Sequence, residues 1–81
     1  MADLSRRRDL GIGPRIRELR SERGMTLDQL ASRAGISASH LSRLERGQAE
    51  PSFRVAAAIA DQIGVPLSDL IPSNGNGRLS A

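Results

Sequence analysis

Eighty-one residues make one small domain, whose core hides only about 60% of the surface the unfolded chain exposes, so a deep pocket for a large substrate is excluded. With no cysteine and one histidine, disulfides, a thiolate zinc site and a histidine metal cage are excluded too, and packing alone must hold the fold. Twelve arginines and no lysine stand against nine acids, and the net +3 favours an anionic partner only weakly, though its excess lies in the amino-terminal half.

The first eleven residues are polar, carry Arg6, Arg7 and Arg8 in a row, and read as a flexible basic arm. They lack the apolar stretch of a signal peptide, and no apolar run approaches the roughly 20 residues that cross a bilayer. A cytoplasmic protein without a membrane partner is expected. A first helix starts at Ile12: Pro14 suits a first helical position, and Ile12, Ile16 and Leu19 recur with helical spacing until Gly24. A second opens at Thr26, where Thr26 and Gln29 have the spacing of a capping box. Leu27, Leu30, Ala31 and Ala34 then form its apolar stripe, and Gly35 supplies the left-handed residue that ends it.

Ser37 caps a third helix, Ala38 to Arg46, and Ser52 a fourth, with Ala56, Ile59, Ala60 and Ile63 as its buried face. Pro66 to Ile71 forms a short fifth, packing Leu67 and Leu70. Residues 72–81 have the composition of a linker or disordered tail, so the domain spans 12–71. No strand pattern or repeat appears, and the fold class is all-α with five short helices.

The third helix poses the functional question. At about 100° per residue, Leu41 and Leu44 face the core while Ser39, Ser42, Arg43 and Arg46 face away, with Ala38 and His40 on the flanks. Short polar side chains let a partner approach the backbone, and the guanidiniums reach past them. An ordinary solvated helix more often mixes Glu and Lys pairs. Helices two and three are joined only by "GIS", about right for the steep pair of a helix-turn-helix. Ala31 is small where the two cross, and Ile36, Leu41 and Leu44 fill the angle between them. Phe53, the lone aromatic, is expected to be structural, and single-stranded RNA is disfavoured as a partner because it is read by stacking. No catalytic residues, cofactor or small-molecule site are expected, since nothing resembles a triad, a metal cage or a nucleotide loop.

From Gly13 to Leu70, and above all in "RGMT", "LASRAGIS", "LSRLERG" and "EPS", the chain resembles the Cro and phage-repressor type of DNA-binding domain, the XRE family of bacterial regulators with a lambda-repressor-like fold. The resemblance implies a transcriptional regulator, a repressor by type, whose third helix lies in the major groove of double-stranded DNA and whose homodimer meets a palindromic operator. It makes Ala38, Ser39, His40, Ser42 and Arg43 the base-facing set, with Arg43 suited to guanine O6 and N7. His40 stays open between base readout and a flank residue bonded to water or phosphate. Phosphates would meet the amino ends of helices two and four, with Gln29, Arg46, Gln48, Ser52 and Arg54 placed to add contacts or to serve as plain surface.

The resemblance further implies that Glu45 pairs with Arg20 and orients the third helix. It leaves Arg6, Arg7 and Arg8 either a minor-groove arm or a source of non-specific attraction. Many members carry glutamine directly after the threonine cap, whereas this chain has Leu27, so a phosphate there falls to the backbone amide and Gln29. A dimer surface is expected near Val65, Leu67, Leu70 and Ile71. The competing class is an antitoxin-like protein-interaction module on the same fold, which needs an exposed apolar surface away from the third helix.

Overall fold

Three of the four α-helices in the computed structural model, which describes residues 11–71, begin on a hydroxyl that accepts from the amide three residues on. Thr26 opens α2, Leu27–Ala34, with a reciprocal pair of bonds: Gln29 N donates to Thr26 Oγ1 at 3.0 Å, and Thr26 N to Gln29 Oε1 at 2.9 Å. Ser37 opens α3, Ala38–Glu45, and Ser52 opens α4, Phe53–Ile63. Only α1, Ile12–Glu22, lacks a side-chain cap and starts from Gly11. Pro14 therefore sits third in α1 rather than first, still inside the turn whose amides have no partner within the helix, so its missing N–H costs nothing.

The core joins Ile16 and Leu19 of α1, Leu30 and Ala31 of α2, Leu41 and Leu44 of α3, the expected quartet Ala56, Ile59, Ala60 and Ile63 of α4, and Leu70. α1 packs chiefly on α3, while α2 bridges α3 and α4. The α2–α3 turn depends on Gly35, whose φ of 77° would strain any residue with a Cβ, although the space around it is open. Ile36 N reaches back to Ala31 O at 3.0 Å and closes the helix end.

Gly13 is the opposite case. Its conformation is ordinary helix, but a Cβ there would overlap the carbonyl of Leu44, so α1 crosses the end of α3 with no side chain between the two backbones.

The described residues hold no strand, and the expected fifth α-helix is a single 3-10 turn, Leu67–Leu70, packed on α4 and α1. The sequence explains the shortening. Pro66 and Pro72 bracket five residues, and Ile71, which precedes Pro72, is extended at φ −82° and ψ 134° as a residue before proline prefers. Arg15 Nε ties the turn to α1 by donating to Asp69 O at 2.8 Å.

Leu70 corrects the expected dimer surface: it is wholly buried in the core of its own chain and has no area to offer a partner. Val65 and Leu67 are half-buried against that core, and Ile71, 44% exposed, is the most exposed member of the set. Arg6, Arg7 and Arg8 and the tail 72–81 lie outside the described residues.

Candidate nucleic-acid interface

The candidate face is built on a helix of only eight residues, too short to hold its shape alone. Its amino end is fixed by Ser37, whose Oγ accepts from His40 N at 3.0 Å, and its underside by the buried Leu41 and Leu44. Its carboxyl end is fixed by charge. Arg20 Nε donates to Glu45 Oε2 at 2.8 Å and Nη2 to Oε1 at 3.1 Å, while Nη1 donates to Met25 O at 2.7 Å. One guanidinium thus clamps α1, the loop before α2, and the end of α3.

Glu45 is only 6% exposed, so the pair is shielded from water and the two-pronged geometry is what makes a buried carboxylate tolerable. The hydrogen bond to Glu45 raises the Arg20 pKa above its ordinary value, outweighing the desolvation that lowers it.

With the underside held, the outer face is free for recognition. Ser39 and Arg43 are exposed and Ala38, His40 and Ser42 half-buried. Arg43 pairs with no acid among the described residues, whose ion pairs are Arg15–Glu18 and Arg20–Glu45. Gln29, Arg46, Gln48, Ser52 and Arg54 are all exposed. The capping bonds of Gln29 and Ser52 occupy acceptors: Gln29 Oε1 takes Thr26 N, and Ser52 Oγ takes Val55 N at 3.1 Å. What remains outward on each is a donor, the amide NH2 or the hydroxyl proton, which suits a phosphate oxygen. Arg46 Nε lies over the end of α3, donating to Ser42 O at 3.3 Å.

Two site features escaped the sequence reading. Gly13 sets how closely α1 approaches α3, and its signal was present, since it stands three residues before Ile16 on the apolar stripe of α1. Arg15 anchors the 3-10 turn through a backbone carbonyl, for which no sequence pattern exists. Phe53 corrects an expectation as well. It is 77% exposed at the first position of α4 and belongs to no core. Among the described residues no three potential metal-ligating side chains gather, and no helix is long and apolar enough to cross a membrane.

The sequence and the fold have known counterparts. Over 57 residues the chain is 44% identical to the HTH-type transcriptional regulator DdrOP3 of Deinococcus deserti, a match covering 70% of this chain and 44% of that protein. Over 60 residues it is 37% identical to the immunity repressor protein of Bacillus phage phi105, covering 74% of this chain and 42% of the phage protein. The chain therefore spans under half the length of these two relatives. The solved structure of the clp gene regulator ClgR from Corynebacterium glutamicum superposes with a TM-score of 0.75 at 32% identity, covering 90% of this chain and 78% of that one.

The class to which these similar proteins belong is that of transcriptional regulators. The helix-turn-helix family HTH_3 matches residues 16–70, and the chain belongs to that family.

Proposed function

We propose that this chain is a sequence-specific repressor that binds a palindromic operator as a homodimer, with α3 in the major groove and the 3-10 turn standing as the fifth helical segment of a lambda-repressor-like domain. The observation that carries the reading is the construction of α3: capped, packed and ion-paired on every side but one, and bearing on that side short hydroxyls and guanidiniums without described acid partners.

Arg43 reads guanine, Ser39 and Ser42 bond base edges or phosphates, Ala38 meets a thymine methyl, and His40 stands at the flank of the same face. Gln29, Arg46, Gln48, Ser52 and Arg54 hold phosphates, aided by the free amides at the starts of α2 and α4. Arg6, Arg7 and Arg8 supply an arm toward the minor groove. Ile71, flanked by the partly covered Val65 and Leu67, supplies the apolar part of the dimer contact. A module built first for protein binding needs more apolar surface than this, because Phe53 and Ile71 are the large hydrophobic side chains exposed among the described residues.

Selection from random duplex DNA at near-physiological salt tests the reading, since non-specific attraction enriches nothing there. The expected product is a palindrome with half-site centres about 10 base pairs apart. Failure to enrich any sequence refutes the reading.

A further inference from the structure

Beside the reading face, α1 and the end of α3 enclose an open groove lined by Arg17, Glu18 and Ser21 on one side and Glu45, Arg46 and Gly47 on the other. Its formal charges cancel, but both carboxylates are already engaged by arginines outside the groove. Glu45 takes both of its bonds from Arg20, and Glu18 Oε1 takes one from Arg15 Nη1 at 3.1 Å. The remaining guanidiniums, Arg17 and Arg46, are exposed and pair with no acid among the described residues. The groove is therefore cationic and suits an anion.

Its position says which anion. At about 100° per residue, Ser39, Ser42, Arg43 and Arg46 share one face of α3, so Arg46 is both the last residue of that face and a wall of the groove. The eight residues of α3 run about 12 Å, which matches the roughly 12 Å width of a major groove. A duplex seated on this face brings a strand of phosphates to the end of the helix, where the groove opens.

We infer that the groove receives a backbone phosphate of the operator, held by Arg17 of α1 together with Arg46, which caps α3. The inference rests on the DNA-binding reading above and extends the DNA contact to a helix that the reading leaves out. Arg17 carries no sequence information. It adds affinity and fixes how α1 stands against the backbone.

Arg17→Ala tests this in the full chain, since it removes an exposed side chain and leaves the core intact. On the selected operator, the slope of log affinity against log salt should flatten by about 0.9 per protomer, with affinity at 0.1 M salt falling about tenfold per half-site and base preference unchanged. Arg17→Ala with Asp61→Asn restores the net charge on α4, which packs chiefly on α2 and the 3-10 turn. The loss should persist in that double variant. Wild-type slope and affinity in Arg17→Ala overturn the assignment while leaving the DNA-binding reading intact, and recovery in the double variant overturns it in favour of long-range charge. If inorganic phosphate shifts the Gly47 amide while Arg17→Ala leaves operator affinity untouched, the groove holds a free anion and the DNA assignment is wrong. A wild-type chain that selects no DNA overturns both readings together.

Discussion

Replacing glycine by alanine inside a helix ordinarily stabilises it, by up to about 1 kcal/mol. Gly13→Ala should do the reverse. A Cβ at Gly13 would stand 2.9 Å from the Leu44 carbonyl carbon, nearer still to its oxygen, and 3.3 Å from the carbonyl carbon of Glu45. These are backbone atoms, which have no rotamer to turn aside. Restoring ordinary carbon contact, about 3.5 Å, displaces α1 from α3 on the order of an ångström. Overpacking of this kind costs about 1 to 3 kcal/mol.

Set against the full propensity gain, the net is about 0 to 2 kcal/mol of destabilisation, up to on the order of 10 °C in Tm for a domain this small. Thermal unfolding followed by far-ultraviolet circular dichroism measures it. A second consequence follows from where the strain falls. The displaced carbonyls belong to the end of α3, so operator affinity should drop further than in a variant of equal stability altered away from α3. A Gly13→Ala protein melting above the wild-type temperature would refute the close approach.

Arg20→Ala leaves the buried Glu45 without both of its bonds, and the expected cost is about 3 to 5 kcal/mol in chemical denaturation; a change under about 1 kcal/mol would mean the pair is not structural. Because the Arg20 pKa is raised, its contribution is fully present below the ordinary guanidinium range and fades only as pH rises through the raised value, so stability should show no loss on its account across neutral pH. Arg43→Ala should relax base preference at one operator position by about 1 to 3 kcal/mol in a mutated-site binding series; unchanged preference at every position would remove it from readout. Ile71→Glu should shift the sedimentation equilibrium toward monomer at unchanged Tm, whereas Leu70→Ala should lower stability by about 2 to 5 kcal/mol; a dimer indifferent to Ile71→Glu places the contact elsewhere.

Local chemistry was legible in the sequence because it is written in short spacings. Thr26 with Gln29, Ser37 and Ser52 each announce a helix start by the same hydroxyl-to-amide bond, and all three bonds form. The quartet on α4 follows from periodicity alone and is buried as read. The misreadings have different origins. Gly13 is read only as part of the first helix, without its contact to α3, and Leu70 is read as interface although α4 closes over it. Spacing places Gly13 on the apolar stripe of α1, but which element meets it, and which covers Leu70, is settled at a distance in sequence. Phe53 fails for a local reason: its hydrophobicity predicts burial, but the first position of α4 faces outward.

The division between what faces in and out on α3 also explains how so short a helix can serve recognition. Helices of fewer than about 12 residues are marginal in water, and serine and histidine do little to help. If its stability came from its own sequence, the outer face would need strong helix formers, and nothing would be left to read a base. Here the stability comes from elsewhere: from Ser37 at one end, Leu41 and Leu44 beneath, and Gly13 with the Arg20–Glu45 clamp at the other end. None of these residues lies on the outward face, so Ser39, Ser42 and Arg43 can be exchanged for other side chains without unfolding the domain. On the proposed reading, residues that set the position of the helix are separate from those that read DNA, so one scaffold can carry many reading faces.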